Sequence, residues 1–138
     1  MGVDILGWVE VNDPRRGGWN GMIRINYLVD RAYGVFAALF GRTSSGIFDP
    51  IAQGRGIPED KSNEVYYDHP EAIGVAPSWI GWNEIKAVDW KRVAEDAEWS
   101  SEDGPLVTEG WALLFRLMEV LAQQYGDENV RLVVWFDS

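Results

Sequence analysis

The chain has 138 residues, with 22 Asp and Glu against 12 Lys and Arg, eight Trp, one His and no Cys. Its formal net charge of -10 argues against direct nucleic-acid binding, which requires clustered positive charge. The lack of Cys excludes disulfides, zinc–thiolate sites and a cysteine nucleophile.

Alternation at the start of the chain predicts a first strand over 3–11. Apolar residues occupy one face of this strand, and the other face carries Asp4, Leu6, Trp8 and Glu10. Gly7 interrupts the apolar face, which indicates a bulge or a close approach of another backbone. Turn-forming residues at 12–18 then predict a turn, and residues 19–25 a short second strand.

A first helix is predicted over 32–40, with Asp30 as the candidate N-cap and Gly41 at the left-handed position that ends it. Residues 42–77 are rich in Gly and Pro and predict a long irregular region. Within that region Ser62 is a candidate cap for a short helix that ends at Asp68.

The second half begins with an extended segment at 78–80 and a helix over 83–90. A long helix is predicted from the N-cap Thr108 to Gly126, because apolar residues recur along it with helical spacing. Leu113, Leu117 and Val120 widen its apolar stripe and predict a deeply packed helix. The apolar run at 130–136 is typical of a central strand covered on both faces.

These elements predict an α/β (α+β) fold, with one small domain over 1–138 and the irregular loop region at 42–77. We expect a few-stranded sheet in which the N-terminal and C-terminal strands are neighbours. The long amphipathic C-terminal helix packs across them. There is no signal-peptide pattern and no apolar run as long as a membrane span, which predicts a cytoplasmic protein of bacterial or viral origin with no membrane partner.

The negative charge is concentrated in the second part of the chain. Residues 1–55 hold six basic and five acidic residues, whereas residues 56–138 hold six basic and seventeen acidic residues. The densest stretch, the acidic segment, consists of Glu95, Asp96, Glu98, Glu102 and Asp103. It is either a solvated surface that promotes solubility or an acidic interaction face for a basic partner.

Seven residues are candidates for a binding site: Asp4, Trp8, Arg15, Arg16, Trp19, Arg55 and His69. Arg55 lies between two glycines, where amides and a guanidinium can cradle an anion; alternatively, it pairs with an internal carboxylate. If the terminal strands are antiparallel, Asp4 approaches Asp137, and with Glu10 the two offer oxygen ligands to a divalent cation. No metal-ligand spacing supports that site, so we expect no metal and no cofactor.

The remaining candidates are open to two interpretations each. Arg15 and Arg16 form a basic turn with one stacking aromatic, Trp19, which is either an anion cradle or an exposed turn. His69 lies in a turn-prone loop without a catalytic signature, which favours a surface residue over a general base. Trp8 is a candidate interface anchor if its face is exposed, since Trp is enriched at binding hot spots. A homodimer through that face is compatible with the pattern, and the oligomeric state stays open.

Several short strings resemble a family of small uncharacterised bacterial and phage proteins that typically open with Met-Gly-Cys-Asp-Ile-His. The opening at 1–5, the Arg-Gly-Ile-Pro turn at 55–58 and the Ser-Trp-Ile segment at 78–80 carry this resemblance. The closing run at 126–137 is similar to actinobacterial members. Val3 and Leu6 stand where many relatives have Cys and His. The resemblance therefore implies a fold and an association with phage or accessory genomes, but no reaction.

Two functional hypotheses follow. The first is a non-catalytic acidic binding protein, such as an inhibitor, an immunity-type partner or a phage-encoded modulator, that acts by protein–protein interaction on a basic partner. The second is a small-molecule or nucleotide-binding protein, or an enzyme, with a pocket near 42–77 that uses Arg55 and Asp4. The two hypotheses differ on whether Arg55 points into a pocket or into an internal ion pair.

Overall fold

The computed structural model describes residues 2–42, 49–69 and 75–137. These residues form one four-stranded sheet with strands β1 Asp4–Asp13, β2 Gly18–Arg24, β3 Val75–Gly81 and β4 Val130–Asp137. The α-helices of this part are α1 Tyr33–Phe40, α2 Asn63–Asp68, α3 Trp82–Lys86, α4 Trp90–Asp96 and α5 Glu109–Tyr125. The α/β fold class is confirmed. Segments 43–48 and 70–74 of the predicted irregular region lie outside the described residues.

The sheet is antiparallel, in the order β2-β1-β4-β3. As predicted, the first and last strands are neighbours, and β4 is an interior strand that is buried from Val130 to Phe136. Gly7 has a φ of +151°, and a Cβ atom there would overlap the carbonyl oxygen of Val133 on β4. The predicted close backbone approach at Gly7 is thereby confirmed.

The two faces of the sheet are covered differently. The main core lies on the face that packs against α1 and α5, where Phe36 contacts both Trp111 and Phe136 edge to face. A smaller cluster on the other face packs Val65 of α2 against Val133 and Trp135 of β4. Helix α2 therefore covers part of the face that carries Trp8 and Glu10: Glu10 is buried, whereas Trp8 is half-buried.

Two local predictions are wrong. Asp30 does not cap α1, whose N-cap is Ala32 without a side-chain bond; the Asp30 carboxylate instead accepts a hydrogen bond from the Thr108 hydroxyl. The predicted helix over 83–90 ends at Lys86, because Asp89 takes an extended conformation and caps the separate helix α4 through the amide of Arg92.

Helix α5 has the predicted bounds, beginning after Thr108 and ending before Gly126. It packs on the sheet with one face, and the fully buried residues of that face are Trp111, Leu114, Met118 and Ala122. The prediction of deep packing for the wider stripe is wrong, because Leu113 and Val120 are exposed on the opposite side of the helix.

Candidate functional site

A cleft with a volume of about 630 Å³ lies where β1 begins and β4 ends. The antiparallel register places Asp4 directly opposite Asp137. The segment that follows β2 brings Tyr27, Asp30 and Arg31 onto the same cleft. Its charged lining residues are three carboxylates and one guanidinium, so its formal charge is -2. We call it the anionic cleft.

Arg31 binds Asp4 with two hydrogen bonds inside this cleft. Its Nε atom donates to Oδ1 at 2.6 Å and its Nη2 atom donates to Oδ2 at 3.2 Å. These bonds favour the charged form and hold the pKa of Asp4 below its ordinary value, and the same pair raises the pKa of Arg31. Asp4 is therefore ionised at neutral pH and cannot serve as a proton donor there.

Besides the Arg31–Asp4 pair, three further hydrogen bonds tie the wall formed by residues 26–31 to the rest of the fold. Asp30 accepts from the Thr108 hydroxyl at 2.6 Å through its carboxylate and from the Trp111 indole at 3.1 Å through its backbone oxygen. The side-chain oxygen of Asn26 accepts from the amide of Gly7 at 3.0 Å. These bonds preorganise the cleft, and Tyr27 stands at its rim with a side chain that is 94% exposed.

Glu10 does not join Asp4 and Asp137, so the three-carboxylate cation site considered from the sequence is not formed. Glu10 is fully buried further along β1, where it accepts from Arg131 Nε and from the Ser62 amide, each at 2.6 Å. Within the ranges that the structure describes, no group of three or more His, Cys, Asp or Glu residues is arranged to hold a metal ion.

No family model, no curated protein and no solved structure matches the chain. Among the helices described, none is both long enough and apolar enough to cross a membrane.

Arg55 forms an internal ion pair. Its Nη1 and Nη2 atoms each donate to a carboxylate oxygen of Glu84 at 2.7 Å, and its guanidinium lies 4.8 Å above the ring of Trp79. The pair lowers the pKa of Glu84 and raises that of Arg55. Arg55 does not line the anionic cleft, so Arg55 and Asp4 belong to separate ion pairs and share no pocket there.

Trp8 and Trp19 are held by acidic residues of the 60–68 region. The indole nitrogen of Trp8 donates to Asp68 at 2.8 Å, and that of Trp19 donates to Asp60 at 3.1 Å. Trp8 is half-buried and lines an open groove of about 580 Å³ on the α2 side of the sheet. The Trp19 ring lies 3.8 Å from the guanidinium carbon of Arg131. Both indoles therefore contribute to internal packing.

Arg15 and Arg16 are exposed in the turn between β1 and β2, and both approach Asp13, with nitrogen–oxygen distances of 3.3 and 3.8 Å. His69 lies at the end of α2 with its ring edge against Trp135, at a centroid distance of 5.0 Å. Its Nε2 atom is buried and has no hydrogen-bond partner among the described residues. Contact with an indole does not give His69 the orienting partner that a general base requires.

All five residues of the acidic segment are exposed. They lie at the end of α4, at Glu98 in the turn that follows it, and in the short 3-10 helix at 101–103. Glu98 has a φ of +52°, a left-handed conformation that favours glycine. Lys91 and Arg92 are exposed at the start of α4, so basic residues lie beside the segment. Asp96 is 3.9 Å from Arg92.

Sequence reasoning identified Asp4 but missed Tyr27, Asp30 and Arg31 as site residues. They lie between β2 and α1, where no periodic pattern indicates which way a side chain points. The one sequence signal for this cleft was the possibility that the terminal strands are antiparallel, since that arrangement places Asp137 next to Asp4.

Proposed function

We propose that the protein is a non-catalytic binding protein whose anionic cleft receives a positively charged side chain of a basic protein partner. The observation that carries this proposal is the charge arrangement of the cleft. Arg31 neutralises Asp4. Among the described residues, the Asp30 carboxylate accepts only the hydrogen bond from the Thr108 hydroxyl, and Asp137 makes no ion pair. A Lys or Arg side chain that enters the cleft would supply the missing partner.

Three further features support a cationic partner group. The volume of about 630 Å³ is sufficient for a long side chain with its neighbours. The exposed ring of Tyr27 at the rim can contact a cation through its face. The net charge of -10 accelerates encounter with a basic protein and disfavours acidic ones.

The lining of the cleft favours binding over catalysis. Arg31 keeps Asp4 ionised, and His69 is not one of the residues that line the cleft. We propose that such a protein acts as an inhibitor, an immunity-type partner or a phage-encoded modulator. The same proposal includes a cytoplasmic location, no direct binding of nucleic acid, and membership of the family that the short strings resemble.

The proposal is tested by calorimetric titration with tri-lysine and tri-arginine peptides, with acetylated tri-lysine as the uncharged control ligand. We expect binding of the charged peptides that weakens as salt is raised. The double variant Asp30→Asn/Asp137→Asn should lower the affinity at least about tenfold, which corresponds to about 1.4 kcal/mol. Asn at position 30 keeps an oxygen acceptor for the Thr108 hydroxyl, so the loop should stay in place.

The matched control is Glu95→Gln/Asp96→Asn, which makes the same charge change on the acidic segment. Retention of affinity by this control, together with its loss in the cleft variant, supports the cleft as the site. If both double variants lose affinity equally, binding depends only on net charge and the cleft proposal fails. If only the control loses affinity, the acidic segment is the interface instead.

A further inference from the structure

Strand β1 is paired over different lengths on its two sides. Its pairing with β4 begins at Asp4, whereas its pairing with β2 begins at Trp8. The chain turns away from β1 after Ile25, whose carbonyl oxygen accepts from the Leu28 amide at 2.9 Å. Residues 4–6 of β1 therefore form an open edge on the β2 side, and all three line the anionic cleft.

Ile5 is the residue of this open edge whose backbone polar groups point away from β4. In an antiparallel ladder, successive residues direct their N–H and C=O groups to opposite neighbours. Gly7 directs both groups away from β4: its N–H donates to Asn26 Oδ1 and its carbonyl accepts from the Ile25 amide, each at 3.0 Å. Ile5 lies two residues earlier in the same unbroken register, so its groups point to the same side. In the part of the chain that the structure describes, no hydrogen bond from the segment after β2 reaches them.

The positions on either side of Ile5 along the open edge are already satisfied by side chains. The Val3 amide donates to the Tyr33 hydroxyl at 3.3 Å, and the Gly7 amide donates to Asn26. Ile5 is only 4% exposed, and shielded backbone groups in proteins are nearly always paired, because leaving them unpaired is costly. The open edge therefore has a place for the N–H and C=O of one further extended residue.

We propose that an extended segment of the basic partner adds to β1 here, with the backbone of one of its residues bonded to Ile5. This inference rests on the function proposed above and specifies how the partner binds. Side chains alternate along the added segment, so the residues before and after the bonded one point to the sheet face that carries Asp4 and Asp137. Two strand spacings of about 4.8 Å separate the added segment from β4, a gap that a Lys side chain and the Asp137 side chain span together.

The two kinds of contact select different properties of the partner segment. Backbone hydrogen bonds are made by any non-proline residue, so the bonds to Ile5 select an extended backbone rather than a sequence. The cleft, with a formal charge of -2, selects a cationic side chain next to the bonded residue. A helical segment cannot bind in this way, because its N–H and C=O groups are bonded within the helix.

The first test is an N-methyl scan of a peptide with one Lys, acetyl-Thr-Thr-Lys-Thr-Thr-amide, measured by calorimetric titration at low salt. N-methylation of one Thr next to the Lys should lower the affinity about tenfold, since it removes the hydrogen bond to the Ile5 carbonyl. N-methylation of the Lys is the matched control and should preserve the affinity, because that amide points away from β1. Equal effects at every position, or no effect at any, would overturn strand addition and leave the proposed function standing. Failure of this peptide and of tri-lysine to bind at all would overturn both.

The second test follows the Ile5 amide by hydrogen exchange in the wild-type protein. In the free protein this amide should exchange faster than that of Leu6, which points to β4. Saturation with the unmethylated peptide should slow the exchange of Ile5 at least about tenfold and change that of Gly7, already bonded to Asn26, much less. An Ile5 amide as protected as that of Leu6 in the free protein, or unchanged at saturation, would overturn the proposal. Protection of β2 amides instead would also overturn it, because the segment would then add to the outer edge of β2.

Discussion

Glu10 and Arg131 lie opposite each other on β1 and β4, and their side chains form a buried ion pair with an Nε–Oε1 distance of 2.6 Å. The side chains are 0% and 8% exposed, respectively. The second carboxylate oxygen of Glu10 accepts from the Ser62 amide just before α2, and Arg131 also stacks on Trp19 of β2. One buried pair therefore connects three strands and the start of α2.

Glu10→Gln should destabilise the fold by about 2 kcal/mol, because it removes the charge of the buried partner of Arg131 and leaves the guanidinium only the mostly exposed Asp60, at 3.0 Å, as a carboxylate partner. The measurement is urea unfolding followed by tryptophan fluorescence. Glu59→Gln is the matched control: Glu59 is exposed, and its replacement should change the free energy of unfolding by less than about 0.5 kcal/mol. Equal stability of the two variants would show that the pair contributes nothing measurable.

The sequence predicted the face that Glu10 occupies but not its partner. Alternation along β1 correctly grouped Glu10 with Trp8, and the apolar run at 130–136 correctly predicted an interior strand. Arg131 interrupts that run 121 positions away from Glu10, and only the strand register shows that the two residues meet. Whether the Trp8 face is open or covered depends on where α2 docks, which no local pattern specifies.

The anionic cleft depends on tertiary structure in the same way. Asp4 and Asp137 are neighbours only because β1 and β4 run antiparallel, a choice that the sequence left open. Arg31 and Tyr27 lie in an irregular segment, where neither helical nor strand periodicity assigns a face. Elements with strong periodicity were therefore predicted well, and contacts between loops and strand ends were not.

Gly7 should tolerate no side chain. Gly7→Ala would place a Cβ atom against the Val133 carbonyl and would require a φ of +151°, which residues with a side chain rarely adopt. We expect a loss of at least about 3 kcal/mol in the free energy of unfolding, from backbone strain and overpacking together. Gly54→Ala, at a φ of +63° with open space around it, should cost about 1 kcal/mol. A similar loss in both variants would mean that the Val133 carbonyl of β4 adds no cost beyond that of the positive φ.

Glu98 and Glu95 should respond oppositely to the same substitution. Glu98→Gly removes a side chain from a left-handed residue and should stabilise the protein by about 0.5–1 kcal/mol. Glu95→Gly introduces glycine into α4 and should destabilise the protein by about 1 kcal/mol. Each variant loses one negative charge, so a difference in their thermal midpoints reports the backbone alone. Midpoints that shift in the same direction would contradict this interpretation.

The Arg55–Glu84 pair should make stability depend on pH in the acid range. The two hydrogen bonds from Arg55 and one from the Gly81 amide at 3.1 Å hold the pKa of Glu84 below its ordinary value of 4.5. The unfolded chain therefore binds the proton more readily than the folded one between these two pKa values. The stabilisation by ionised Glu84 is fully present above pH 4.5 and is lost as the pH falls through the folded-state pKa.

Glu84→Gln should lower the free energy of unfolding near neutral pH by about 1 kcal/mol, since a partly exposed bidentate pair is worth no more than that. The difference between the wild type and this variant should shrink as the pH falls below 4.5, because protonated Glu84 no longer pairs with Arg55. Urea unfolding across this range measures the difference directly. Glu59→Gln, which removes an exposed carboxylate without an ion-pair partner in the described part of the chain, should show no such dependence. A Glu84→Gln difference that stays constant from about pH 7 to about pH 3 would mean that the pair does not favour ionised Glu84 in solution.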